Sequence, residues 1–302
     1  MRRLILTTGD LNGIGAEISA KSLRELKLSS KQNVTVVLHP EQEPAFTRAI
    51  GRQLPMFDDW EIAAQTSEPG AQILLDRAAP ALWVEQAARA CLDEKFAALV
   101  TGPLSKPGII KAGLTDLGHT EILRRVSKSG ELYMSFWGSH FNVVLVTGHI
   151  PVSKVPKQWT AERIQNVTEL TQNFLRATTP DDKRPLAFVG LNPHAGDKSL
   201  IGEEEENLGL KSARLVGPLV PDTAFQKENW GKYAAFLCAY HDQGLIPFKL
   251  IHGFDEGVHV TLGLPFLRTS VDHGPATELV GTGRAKHGSM KAALKMALDF
   301  SP

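Results

Sequence analysis

Six short apolar runs recur along this chain: LILTTGD, VTVVLHP, FAALVTGP, NVVLVTGH, LAFVGLNP and AAFLCAYH. Each closes on Gly, Pro, Asp or His. A strand wetted on one face alternates apolar with polar residues. A near-continuous apolar run is instead the habit of a parallel strand covered by helices on both faces. Between the runs lie APALWVEQAARACLDE, TAERIQNVTELTQNFLRA and EEENLGLKSARLV, with apolar residues at helical spacing. This βα succession predicts an α/β architecture built on a largely parallel sheet. With 302 residues, 42% of them hydrophobic and 22% charged, the chain is long enough for two cores. No repeat, low-complexity tract or flexible linker marks where one core would end.

Charge and cysteine content narrow the function classes. Thirty-three basic and thirty-three acidic residues cancel, so no basic surplus points to nucleic acid and no polybasic patch to a membrane surface. Cys91 and Cys238 are far apart, each in an apolar context without a CxxC partner, and read as free thiols of a reducing compartment. MRRLILTTGD is too short an apolar stretch for a secretory signal, and no run approaches bilayer length. The expectation is a cytoplasmic enzyme with neither nucleic-acid nor membrane partners.

Three histidines stand just past apolar runs: His149 after VVLVTG, His194 after LAFVGLNP and His241 after AAFLCAY. In open α/β sheets ligands gather outside the carboxyl ends of the strands, where residues distant in sequence converge. Three neutral imidazoles with coordination positions left over describe a catalytic divalent ion, with Zn²⁺ favoured and Mg²⁺, Mn²⁺ or Co²⁺ as working substitutes. Each of the three taken singly also suits a hydrogen-bonded loop histidine. Gly9, Gly13 and Gly15 lie between a strand and a helix, where backbone amides can hold an anion. Their spacing is not GxGxxG, however, and a plain strand-to-helix turn needing positive φ is the better explanation. Gly281 and Gly283 likewise fall short of a dinucleotide fingerprint, so the cofactor-binding residues are unknown from the sequence.

The strings TGDLNGIGAEI, VTGPLSK, GHTE, GLNPHAGD with IGEEE, PDTAF, YHDQGLIPFK and VTLGLPFLRTSVDHG occur in this order between about residues 5 and 290. Together they resemble the 4-hydroxythreonine-4-phosphate dehydrogenase family of vitamin B6 synthesis. The resemblance implies two α/β/α domains with a cleft between them, like isocitrate and isopropylmalate dehydrogenases. It divides the chain into residues 1–120, joined again by 280–302, and residues 121–279, the latter carrying most of the metal and substrate residues. It implies NAD or NADP with a divalent metal, and a homodimer whose metal histidines come from both subunits. By the same resemblance His119, Thr120, Lys249 and Arg268 are substrate contacts. Read as bare residues, Lys249 and Arg268 are more often solvated surface charges, and His119-Thr120 an ordinary helix start with Thr as cap. Asp222 and Asp242 are candidates to orient an imidazole or take a proton, and Lys106 to handle phosphate or a proton.

Two positions depart from the family pattern. His259 in GVHVTLGLP stands where an asparagine is usual, and Asp197-Lys198-Ser199-Leu200 replaces an acidic residue, two glycines and a histidine after LNPHAG. The expected reaction is oxidation of 4-phosphooxy-L-threonine and decarboxylation to 3-amino-2-oxopropyl phosphate. The alternatives are the same chemistry on threonate or erythronate 4-phosphate, a metal-dependent hydrolase, or a non-catalytic phosphate- and metal-binding module.

Overall fold

The computed structural model describes residues 2–66, 68–210 and 214–300. In chain order the strands are β1 (Arg2–Thr7), β2 (Gln32–Leu38), β3 (Met56–Phe57), β4 (Gly70–Leu75), β5 (Ala98–Thr101), β6 (Tyr133–Trp137), β7 (Val143–Leu145), β8 (Leu186–Val189), β9 (Leu215–Leu219), β10 (Phe236–Cys238), β11 (Val258–Leu262) and β12 (Leu267–Val271). Each of the six apolar runs overlaps one of them. The chain forms two compact units, one running to Leu132 and resuming at Phe254, the other spanning Tyr133–Gly253.

The first unit orders its strands β3-β4-β2-β1-β5-β12-β11. All neighbours are parallel except β12 with β11. Leu4, Ile5 and Leu6 are all fully buried, so both faces of β1 are covered, as its continuous apolar run requires. The helix Pro80–Leu92 lays Trp83, Val84, Ala87, Ala88 and Cys91 against Ile5, Val37, Leu74 and Leu99. The helix Gly288–Phe300 packs on β12, where Thr269 Oγ1 donates to the Ala293 carbonyl at 2.9 Å.

The second unit orders its strands β6-β7-β10-β8-β9, with β6 antiparallel to β7 and the others parallel. Its core is aromatic: Phe141 meets Phe236 and Phe248 edge-on at centroid distances of 5.9 and 6.0 Å. The helix His241–His252 follows β10 and packs on β7 and β10. A Cβ at Gly244 would stand 3.0 Å from Cys238 Sγ, so this helix approaches its strand closely because residue 244 has no side chain.

One expected helix is mostly missing. EEENLGLKSARLV yields only the turn Glu204–Asn207, because Gly209 adopts φ +56 and ends it; Lys211, Ser212 and Ala213 lie outside the described residues. Among the described residues no helix is long and apolar enough to cross a membrane.

Candidate active site

The register of the second unit explains how three distant histidines reach one sheet edge. Leu145 of β7 pairs with Cys238 of β10, and Phe236 of β10 with Ala187 of β8, so these neighbouring strands share their carboxyl edge. His149 lies four residues past β7, His241 three past β10 and His194 five past β8. The His149 and His241 rings stand 5.1 Å apart between centroids, inclined by 45°. Two imidazoles sharing one ion through Zn–N bonds of roughly 2.0–2.1 Å need about this separation, so the donor pair fits a divalent metal. Nδ1 of His241 lies 2.7 Å from Asp242 Oδ1, a contact that leaves Nε2 as the ligand atom and steadies the ring. His194 does not join the pair: among the described residues no three His, Cys, Asp or Glu side chains gather around one point.

His194 sits on a turn of unusual backbone. Residues 194–199 all have positive φ, from +43 at Asp197 to +80 at Gly196. For each non-glycine residue the left-handed region costs roughly 1–2 kcal/mol. The segment Asp197-Lys198-Ser199, which lacks the usual glycines, therefore adopts a conformation suited to glycine without having any. The short helix Pro221–Ala224, carrying the exposed Asp222, packs against this turn. Lys249 is half-buried, two turns beyond His241 on the same helix.

The first unit holds a different kind of site. Arg268 on β12 is 1% exposed. Its Nη1 donates to Thr261 Oγ1 at 3.0 Å and to His259 Nδ1 at 3.2 Å, and its Nη2 to Thr101 Oγ1 at 2.6 Å. Its Nε has no partner, and among the described residues no carboxylate pairs with it. Burial pushes the guanidinium down to about 9, which still leaves it cationic at neutral pH. A buried cation without an anion is unfavourable by several kcal/mol, and an incoming carboxylate or phosphate would relieve it.

His119 opens the helix His119–Ser127. Burial, and then the Arg268 charge, hold its imidazole well below the usual histidine value, against a hydrogen bond to the Gly102 carbonyl. It is therefore neutral. Its Nε2 is buried without a partner and, with the one ring proton donated to the Gly102 carbonyl, is an acceptor left for a ligand. The helix cap is Gly118 in extended conformation, not Thr120, which falls one residue inside the helix beyond His119. His259 accepts from Arg268 at Nδ1, and since a guanidinium only donates, the His259 proton is on Nε2. Lys106 opens the helix Lys106–Lys111 and is exposed.

Thr101, Thr261 and Ser270 escaped the sequence reading. Ser270 Oγ lies 3.0 Å from Thr101 Oγ1 and donates to the Thr101 carbonyl, completing the polar shell around Arg268. Ser270 could have been found two residues past Arg268 in FLRTS, on the same face of a strand, whereas Thr101 is revealed only by the register Ser270↔Thr101. The N-terminal glycines serve packing. A Cβ at Gly15 would lie 1.7 Å, and one at Gly102 2.2 Å, from the Thr8 carbonyl oxygen. The amides of Asp10, Gly13 and Ile14 already donate to the carbonyls of Pro103, Asp10 and Pro275. These three have no hydrogen left for a pyrophosphate, which favours the strand-to-helix turn over the anion cradle.

This arrangement has close counterparts. A 4-hydroxythreonine-4-phosphate dehydrogenase of Geobacter metallireducens is 36% identical over 99% of this chain and 95% of its own length. The crystal structure of 4-hydroxythreonine-4-phosphate dehydrogenase from Klebsiella pneumoniae superposes with a TM-score of 0.81 at 30% identity, covering both chains completely. Isocitrate dehydrogenase from Methylococcus capsulatus shares the fold, with a TM-score of 0.51 at 14% identity over 98% of this chain and 85% of that one. Residues 15–297 match the family described as pyridoxal phosphate biosynthetic protein PdxA. A chain so matched along nearly its whole length, with an α/β fold shared by isocitrate dehydrogenase, belongs to the PdxA family.

Proposed function

We propose that this oxidoreductase carries out the NAD- or NADP-linked oxidation of 4-phosphooxy-L-threonine and the decarboxylation that follows. The observation that carries the reading is Arg268, a buried cation with no anion of its own beside a neutral His119. Arg268 and Lys249 bind the anionic groups of the substrate. His119 offers Nε2 to a substrate hydroxyl and, being neutral, adds no charge that would compete with Arg268. In the oxidation the carbon bearing the hydroxyl gives its hydrogen, with two electrons, to the nicotinamide ring, and the hydroxyl proton leaves to a base. The resulting 2-amino-3-oxo acid breaks its bond to the carboxylate, releases carbon dioxide and takes up a proton to give 3-amino-2-oxopropyl phosphate.

His149, His194 and His241 would hold a divalent ion, and Asp242 fixes the ring of His241. Such an ion acidifies a hydroxyl and stabilises charge on oxygen when bound. His194 stands apart from the other two in a single chain, which supports a homodimer whose site is completed by the partner. One observation favours a second reading. With its proton on Nε2, His259 offers a donor where an amide would offer both donor and acceptor. A 4-phosphorylated threonate or erythronate, whose hydroxyl replaces the ammonium group, suits such a donor better.

A panel of the three phosphorylated acids, each with NAD and with NADP, decides the matter through the absorbance of reduced nicotinamide. Turnover of 4-phosphooxy-L-threonine above the other two supports the first reading, and preference for a sugar acid the second. No cofactor reduction with any acid contradicts both.

A further inference from the structure

The left-handed turn of residues 194–199 needs something to hold it, since five of its six residues carry a side chain that disfavours this backbone. The turn's own backbone bonds are Ala195 N–H to the Asn192 carbonyl at 3.0 Å, Asp197 N–H to the His194 carbonyl at 3.2 Å, Leu200 N–H to the Asp197 carbonyl at 3.2 Å and Ile201 N–H to the Gly196 carbonyl at 3.1 Å. The stronger restraint comes from outside. Glu205 is 7% exposed, and its Oε1 accepts the Asn192 backbone N–H at 2.7 Å. Its Oε2 accepts Asn192 Nδ2 at 2.9 Å, and the same Nδ2 donates to Glu204 Oε2 at 2.7 Å. Both Glu205 oxygens thus grip the residue that enters the turn. The carboxylate occupies space that two glycines leave: a Cβ at Gly190 would lie 3.2 Å from Oε1, and one at Gly196 2.9 Å from Oε2. A buried carboxylate, strongly hydrogen-bonded and wrapped by the backbone it holds, is a fixed post.

We propose that Glu205, acting through Asn192, is a positioning residue that sets the direction in which His194 presents its imidazole. The inference rests on the reading of His194 as a metal ligand. Were the grip released, residues 194–199 would relax toward right-handed φ, and the His194 Cα–Cβ bond would swing with them. The chain has put ordinary residues where glycine would make this turn easy, so its geometry depends on the grip and not on local preference.

The test is calorimetric titration of Zn²⁺ into the metal-stripped full-length protein, with the melting temperature of each variant alongside. The variants are Glu205→Gln, Asn192→Ala, His194→Ala and the double variant Glu205→Gln/His194→Ala. Glu205→Gln replaces one acceptor by a donor facing donors. Asn192→Ala keeps the backbone bond to Oε1 and so serves if the first variant fails to fold. Either should weaken Zn²⁺ binding about tenfold to a hundredfold, the usual effect of losing a group that orients a metal ligand. Saturating Zn²⁺ should restore kcat with KM for the substrate unchanged, and the double variant should bind no more weakly than His194→Ala alone. If His194→Ala weakens binding while a folded Glu205→Gln or Asn192→Ala stays within about twofold of wild type, the positioning role is overturned and the metal reading stands. If His194→Ala itself binds Zn²⁺ as wild type does, the metal reading falls and the positioning role with it.

Discussion

The polar shell around Arg268 and the histidine edge of the second unit differ in how far folding alone completes them. Arg268 is sealed and pre-oriented, with Thr101, Thr261 and His259 all in place in the single chain. Its only unmet need is an anion. The histidine edge is open: His149 and His194 are exposed, the His149 and His241 rings are paired, and among the described residues His194 does not gather with them. A site that recognises a fixed charge can be finished by folding alone, because hydroxyls and imidazoles satisfy a guanidinium without screening it. A site for an exchangeable ion stays incomplete until the ion, and on our reading a partner subunit, arrive.

The largest expected effect lies at the open edge. On the reading of His241 as a metal ligand, His241→Ala removes that ligand together with the ring that Asp242 orients, and should lower kcat by more than about a hundredfold, the scale of losing one group that stabilises charge on oxygen. Metal content measured on the same preparations should fall in parallel. Retained metal with lost turnover would move His241 from ligand to proton carrier.

At the polar shell Arg268→Ala should raise KM for the phosphorylated substrate about tenfold to a hundredfold, since a charge-assisted hydrogen bond is worth about 1.5–3 kcal/mol. The thermal stability should drop little, because the buried charge that is lost was unfavourable in the ligand-free protein. The pH dependence has a definite sign. The folded value of Arg268 is depressed, so the free protein keeps the cation below about 9 and releases its proton as pH rises through that value. Above the range in which inorganic phosphate takes on its second charge, its affinity should weaken as pH rises through about 9, while the strain of burying the charge is relieved over the same range. A phosphate affinity that Arg268→Ala leaves unchanged would break the contrast between the two regions.

A mixing experiment measures the incompleteness of the open edge. His149 and His241 pair within one chain, so the informative partners are His194→Ala and His241→Ala. Dissociated and reassembled at random, these inactive variants should recover roughly a quarter of wild-type activity if His194 and His241 meet across a two-fold axis. Inactive hybrids would place all three ligands in one chain. The smallest effect is expected from His259→Asn. Exchanging one neutral donor for an amide should shift the preference between 4-phosphooxy-L-threonine and the sugar acids by under about tenfold.

What the sequence made legible follows the same contrast. The six apolar runs announced their strands because burial on both faces leaves an unbroken apolar signature. The three histidines could be located at strand ends by counting past those runs. The shell of Arg268 was not legible, since Thr101 and Thr261 meet it only through strand pairing across 167 and 7 residues, and pairing register is a tertiary fact. The left-handed backbone at Asp197-Lys198-Ser199 was hidden for the opposite reason. Local preference argues against it, and the carboxylate that holds the turn lies outside it, at Glu205. The glycines near residue 9 read in sequence chiefly as a strand-to-helix turn, and the close backbone approach at Gly15 agrees with that reading over an anion cradle.

The most direct test of the account pairs 4-phosphooxy-L-threonine with its unphosphorylated counterpart, each given to the metal-loaded protein with NAD or NADP while reduced nicotinamide and carbon dioxide are followed together. The account predicts that both products appear in equal amounts with the phosphorylated substrate, and that the unphosphorylated compound turns over far more slowly because Arg268 and Lys249 lose the anion they bind. Equal turnover of the two compounds, or carbon dioxide without cofactor reduction, would contradict it.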